Sequence, residues 1–311
     1  MTTMRSCARI LIAAWLFIHG TAIRAAQFAP LPGGVISVKG AWSSAAGTPS
    51  ALPEDGTLTH GRYDNAYFGL GYALSTDWTE RYAGPPPSDS GYYVLAQIEP
   101  KDPSRANGVG HVLIAAQDLF FSTPSVRSTA DLISNYRKHL GPEYRVERAP
   151  IEFNIANREF VRLDYLSPVA GLHWHVLATE IRCHVVQFIF TGSSSKSLDR
   201  LAENLNITLR ASGDEPRCIK DFATADRLLE REDPILSEPR FNPVPVRIVI
   251  DKEGRVKHMH FVSAFPEQAK SIEDALSHWR FKPYLIDGQP VEVETGLLFG
   301  RSTRPRAAAL N

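Results

Sequence analysis

The sequence predicts an α+β fold, a central antiparallel-sheet α/β sandwich followed by a small β-β-α-β unit that closes in a hairpin. Three observations predict it. Residues 143–191 read as consecutive strand-length apolar runs, joined at Asn157-Arg158 and Gly171 by turn signals suited to antiparallel neighbours. Helical periodicity flanks that meander on both sides. Val244, Val246, Ile248 and Ile250 then alternate strictly, and the period changes to that of a helix at Ala269, Ile272, Ala275, Leu276 and Trp279.

Taken in order, residues 1–26 carry Arg5 and Arg9 ahead of a short apolar run and then small residues at Gly20, Ala22, Ala25 and Ala26. That is the pattern of an export signal, and the run is shorter than the roughly 20 residues a bilayer span needs. Cleavage would leave a periplasmic or secreted protein; retention would leave one anchored in the inner membrane. Residues 27–60 read as flexible linker around one short strand at 35–38. The sandwich occupies 61–211. Its aromatic stretch "YDNAYFGLGYALSTDW" leads to Trp78, and strands follow at 92–100 and 111–119. A helix at 128–140 has Leu132, Ile133, Tyr136 and Leu140 on one face and is stopped by Gly141-Pro142. After strands at 143–149, 151–155, 160–166, 172–181 and 184–191, a serine-capped helix places Leu198, Leu201 and Leu205 inward.

Residues 212–239 read as a connector with one helix at 219–231, because Phe222, Ala225, Leu228 and Leu229 are periodic. The last domain is 240–302. Its two opening strands turn at 251–254, Pro266 starts the helix at a position where proline is tolerated, and strands at 282–286 and 291–299 close a hairpin about Asp287-Gly288. Residues 303–311 form a Pro/Ala-rich basic tail, read as disordered.

Composition excludes several classes. Among 311 residues, 34 basic side chains balance 34 acidic ones, so nothing draws the chain to nucleic acid or an anionic surface. At 43% hydrophobic and 22% charged, the chain is ordinary for a globular protein. Beyond the signal only Cys183 and Cys218 remain. In an oxidising compartment they can close a disulfide, while a buried strand cysteine and an unrelated thiol would give the same spacing.

No catalytic or cofactor-binding pattern is complete: there is no zinc-binding His-Glu-x-x-His helix, nucleophile elbow or phosphate loop, and Gly108-Val109-Gly110 lacks the third glycine and the helix. His173 with His175, and His258 with His260, each share a strand face and could supply two metal ligands, His184 joining the first pair if the hairpin register allowed. A structural site needs four ligands, so solvated or half-buried strand histidines are the plainer reading. The chain is read as non-enzymatic, with no metal, cofactor or small-molecule substrate identified.

The stretch "VRIVIDKEGRV", an alanine-bearing helix and "WRFKPYLIDGQPVEVET" resemble the C-terminal domain of the TonB family of energy-transducing proteins. Trp279, Arg280, Phe281, Pro283 and Gly288 carry that signature. The physics agrees: Trp279 and Phe281 can anchor a small core while Arg280 and Lys282 reach water. The resemblance implies a protein partner in the periplasm or outer membrane, such as a transporter segment, bound by strand addition. Val291, Glu292, Val293, Glu294 and Thr295, in the last regular strand, are the candidate docking edge. The chain departs from the family in lacking its long Pro-rich spacer and its anchor pattern of a serine and a histidine one turn apart. A TonB-type energy transducer retaining its anchor is therefore the alternative, as is a ligand-binding protein using the sandwich around His173 and His175. The central region more loosely resembles PsbP-like α/β sandwich proteins, through the aromatic strand pair ending at Trp78 and the helix–meander–helix order.

Overall fold

A computed structural model describes residues 37–38, 56–74, 77–82, 91–102, 104, 107–122, 125–203, 207–209, 215–220, 222–235, 244–262 and 264–299. The expected export signal and basic tail lie outside the described residues, which are mostly strand with three helices, an α+β fold. None of those helices is long and apolar enough to cross a membrane.

The chain order is β1 (Ser37–Val38), β2 (Thr57–Thr59), β3 (Arg62–Asn65), β4 (Leu70–Ala73), β5 (Trp78–Tyr82), β6 (Tyr92–Pro100), β7 (Val109–Asp118), α1 (Thr129–His139), β8 (Arg145–Ile155), β9 (Arg158–Ser167), β10 (Leu172–Ile181), β11 (His184–Gly192), α2 (Ser195–Glu203) and β12 (Ile207–Leu209). There follow β13 (Arg217–Cys218), β14 (Leu228–Glu230), β15 (Val244–Ile250), β16 (Val256–Phe261), α3 (Pro266–Ser277), β17 (Arg280–Phe281), β18 (Tyr284–Ile286), β19 (Gln289–Val291) and β20 (Val293–Phe299).

Strands β5-β6-β7-β11-β10-β9-β8 form one seven-stranded sheet, antiparallel throughout. The expected strands at 143–149 and 151–155 are a single strand, β8, bent by two register shifts. One face of this sheet is covered by a four-stranded sheet, β12-β4-β3-β2, and by α2, burying Tyr63, Phe68, Leu70 and Tyr72 against Ile98, Phe160, Phe188 and Phe190. The aromatic stretch thus supplies the second layer, and Thr57–Thr59, expected to be linker, is one of its strands. On the other face α1 packs Leu132 and Ile133 onto Val161, Leu163, Val176 and Val185. Ser128 caps α1 by accepting the Asp131 N–H at 3.1 Å.

In the C-terminal domain α3 buries Ala269, Ile272 and Leu276 against the alternating face of β15, with Trp279 and Phe281 completing the core. Gly254 sits at φ 83° where a Cβ would lie 2.0 Å from the Phe281 carbonyl oxygen, so the turn between β15 and β16 needs glycine. Asp287 (φ 50°) and Gly288 (φ 76°) turn the hairpin, but its arms are β18 and β19. The chain then leaves the hairpin, and β20 crosses back to pair antiparallel with β15.

Two expectations fail here for tertiary reasons. The helix expected at 219–231 is absent among the described residues of that span. Phe222 enters the C-terminal core, Leu229 is 59% exposed, and β14 pairs with β17. An extended chain lets one short segment reach both domains, which outweighs a weak helical period. The strand expected to be a free edge is interior. β20 has β15 on one side, and β13 and β1 run parallel to it on the other. Arg217 N–H donates to the Glu292 carbonyl at 2.8 Å and Ile219 N–H to that of Glu294 at 3.0 Å. The docking border assigned to Val291–Thr295 is therefore covered at Val293 and Glu294 by the molecule's own chain.

A disulfide fixes that arrangement: Cys183, at the β10–β11 turn, is bonded to Cys218 in β13, with Cα atoms 5.1 Å apart. It ties the connector to the sandwich while β13 is part of the C-terminal sheet. The bond closes a loop of sequence separation 35, for which chain entropy predicts a contribution of about 3–4 kcal/mol. Urea denaturation of a Cys183→Ser, Cys218→Ser double variant is expected to show a loss of that size.

Candidate functional site

The alternation that points Val246 and Ile248 at α3 points Arg247 the other way, onto the sandwich, so both faces of the C-terminal sheet are buried. β20 does the same, with Val293 and Leu297 toward α3 and Glu294 fully buried toward the sandwich. Arg247 reaches Asp118, at the end of β7, and its Nε lies 3.0 Å from Glu294 Oε1. Arg182 Nε donates to Glu294 Oε2 at 2.6 Å, and its guanidinium lies 3.7 Å above the Tyr67 ring. The Tyr67 hydroxyl donates to Glu294. Asp118 also accepts the N–H groups of Phe120 (2.6 Å) and Phe121 (3.0 Å). Two guanidinium groups and two carboxylates thus balance in a closed junction, which is how buried charge is tolerated.

Three histidines line this junction. His184 accepts from Arg247 at Nε2 (2.5 Å), and His260 lies 3.4 Å from the Tyr93 hydroxyl. Burial, reinforced by Arg247, holds both imidazoles well below their ordinary pKa, and His258 is lowered for the same first reason with Arg182 adding to it. The expectation that His258 and His260 are solvated or half-buried fails for His260, which is 2% exposed. Burial raises the Asp118 carboxyl, with Arg247 opposing.

A second cluster lies where β9 and β10 meet α2. Asp164, His175 and Asp199 bring one ligand atom each to within 4.8 Å of one another, the geometry of a cation site. Its chemistry does not fit one. Arg162 grips both Asp164 oxygens at 2.7 and 2.8 Å and also bonds Asp199, and Arg148 Nε is 2.8 Å from Asp164. Two guanidinium groups already neutralise the two carboxylates, and a dication would have to displace them. His173 is engaged by Glu147 at 2.6 Å, and the register pairs His175 with Phe190 but His184 with Ile181 at the far end of the same hairpin. His184 therefore cannot join His173 and His175.

Ser195 Oγ stands 3.4 Å from His175 Nε2, so serine, histidine and carboxylate are neighbours. Arg162 donates into His175 Nδ1 at 2.9 Å, which leaves the imidazole proton on Nε2, facing Ser195. That polarity is opposite to what a general base for a serine nucleophile requires. His175 is fully buried and its pKa is lowered, first by burial. The cluster ties α2 to the sheet.

The remaining signature residues have structural placements. Trp279 is fully buried and its Nε1–H donates to the Glu232 carbonyl at 2.7 Å, anchoring the connector. Arg280 Nη1 bonds the carbonyls of Ser277 and Trp279. Pro283 is exposed between β17 and β18, and Glu292 pairs with Lys257. Val291 ends β19, and Thr295 is buried in β20. Sequence reasoning missed Arg247, Asp118, Arg182 and Tyr67; one signal was available, a lone arginine inside the apolar run "VPVRIVI".

No family model matches the chain, and no curated protein does. Among solved structures it is similar to cyanobacterial PsbP (CyanoP) from Synechocystis sp. PCC 6803, at 13% identity and TM-score 0.34, over 54% of this chain and all of that one. A crystal structure from Bacteroides thetaiotaomicron VPI-5482 matches at 15% identity and TM-score 0.24 over 48% of each chain. The PsbP-like neighbour is a weak one covering half the chain, and neither likeness carries a functional argument.

Two outcomes follow from the buried charges and imidazoles. Arg247→Met leaves Asp118 and Glu294 short of a counter-charge and is expected to cost about 3–5 kcal/mol in chemical denaturation. The pH dependence has a definite sign. Five imidazoles, at His111, His175, His184, His258 and His260, have lowered folded pKa values. Below about 6.5 the unfolded chain binds protons there that the folded chain does not, so stability falls with falling pH through that window, by up to about 1.4 kcal/mol per pH unit for each of the buried His184 and His260. The other three contribute less, being lowered less, and His111 and His258 are partly open to solvent. Asp118 and Glu80, both raised by burial, act in the opposite sense but are fewer. Denaturation midpoints between pH 7.5 and 5 are expected to decline.

Proposed function

We propose that this chain is an exported, non-enzymatic binding protein whose C-terminal sheet recruits an extended segment of another protein in the periplasm or at the outer membrane. The resemblance of the last domain to the TonB family supports strand addition as the mode, and the export signal supports the compartment. The border that remains available differs from the one the sequence indicated. With β13 and β1 on β20, one outer border of the sheet is β16, which has a ladder on one side only among the described residues; the opposite border is made by the two-residue strands β13 and β1. That single observation carries the reading.

Val262 N–H donates to the Pro245 carbonyl at 3.0 Å. By antiparallel alternation His260 and His258 then turn their backbone groups toward β15, while Met259 and Phe261 turn theirs outward. The isolated bridge of Arg255 to Arg280 closes the start of this border, so a guest strand would lie along its later residues. Lys257, exposed beside it and paired with Glu292, is the kind of charge that discourages indiscriminate edge pairing.

The test uses a photo-crosslinking residue at position 257 in the full exported chain. An adduct with an envelope protein is expected, retained by Met259→Leu and reduced at least tenfold by Met259→Pro, which removes an outward donor without touching the β15 ladder. Crosslinking that survives Met259→Pro in a folded variant, or appears only from Lys270 on α3, would overturn strand addition at β16.

A further inference from the structure

The helix α1 covers only part of its face of the seven-stranded sheet. Beyond its end the same face holds a trough of about 290 Å³, near the lower limit for small-molecule sites. Its architecture follows from the register. One cross-strand row runs from Gln97 through Leu113 to Ile189, and the next from His111 through Thr191 to Trp174 and Tyr165. Leu113, Ile189 and Thr191 make the floor. His111 and Trp174 stand on either side of Thr191, two strands apart, a separation of about 10 Å.

The indole of Trp174 is stacked on Tyr165, centroids 5.3 Å apart and planes 8° from parallel, with Tyr144 edge-on to both. The stack runs along the cross-strand row, so the second indole face turns over Thr191 into the trough. Contact distances of about 3.5–4 Å on each side leave room for the thickness of one ring between Trp174 and His111. Besides the Tyr165 hydroxyl and the Trp174 N–H, the described lining offers Gln97, His111 and Thr191, each of which both donates and accepts hydrogen bonds. Among the described residues, no formally charged side chain lines the trough. Burial and then Arg81 lower the His111 pKa, and the nearby Arg81 and Glu99 pair with one another at 3.4 Å.

From this geometry we infer that the trough is a binding site for a neutral glycan, one pyranose ring lying with its C–H face on Trp174 and its hydroxyl groups toward Gln97, His111 and Thr191. The electron-rich indole face attracts the weakly positive C–H edges of a sugar, and groups that both donate and accept match hydroxyls, which do the same. The lack of charge among the described lining residues argues against a phosphate, a carboxylate or an ammonium. This inference is independent of the β16 border, since the trough belongs to the sandwich.

The test is a titration of the full chain with N,N′-diacetylchitobiose and with cellobiose, followed by the Trp174 indole resonance and by calorimetry. Saturable binding of at least one disaccharide is expected, with affinity lowered tenfold or more by Trp174→Ala. Because Trp174 also packs on Tyr165, a Gln97→Ala, His111→Ala double variant gives a second reading with the stack intact and is expected to lose a similar factor. Leu113→Trp, which fills the floor, is expected to abolish binding. An unmoved indole resonance at tens of millimolar sugar, or binding indifferent to both variants, would overturn the site. Binding of acetyl-phenylalanine amide in place of either sugar would overturn the ligand class.

Discussion

The arrangement of the two domains depends on one buried constraint: Arg247 in β15 must find anionic partners, and it finds Asp118 of the sandwich and Glu294 of its own sheet. A guanidinium with 1% exposure is intolerable without them. Because Asp118 is held by the N–H groups of Phe120 and Phe121 and Glu294 is also held by Arg182, the orientation of the small sheet on the sandwich is specified by directional bonds. Apolar burial alone would leave that orientation loosely defined.

The connector follows from the same packing. Once the sheet is docked, a chain running from the sandwich to the C-terminal core passes along the border of β20 and can satisfy it. Cys183 and Cys218 fix this passage covalently, Phe222 seats its far end, and the Trp279 indole bonds Glu232 beyond it. The border most expected to receive a foreign strand has thereby become internal, and recognition shifts to β16, across the sheet. The serine, histidine and carboxylate around His175 are likewise turned from chemistry to structure, because one arginine dictates the tautomer.

The α+β class, the antiparallel meander, α1 with its stop at Gly141-Pro142, the serine cap of α2 and the Asp287-Gly288 turn were all legible in the sequence. Each rests on local rules: side-chain period, capping and the φ preferences of Asp and Gly at a tight turn. The connector was misread because its apolar residues recur at helical spacing for unrelated reasons, Phe222 as a core anchor and Leu229 as an exposed strand residue. Of the candidate sites, the cysteine pair was visible as one of two readings, the junction left a single trace in the lone arginine of "VPVRIVI", and the aromatic trough left none. Trp174 and His111 lie 63 positions apart and meet only through the register of β7, β11 and β10.

By itself, the sequence determined most of the strands and helices outside the connector, which face of β15 meets α3, and that Trp279 and Phe281 anchor a small core. Those properties depend on neighbours within a few residues or on a single repeating period. Only the tertiary structure decided that the second face of β15 is buried as well, that β20 is interior, and that Arg247 joins two domains. The reason is physical: an alternating strand announces one apolar face, whereas a polar face reads the same in sequence whether water or a matched set of buried charges stands opposite it.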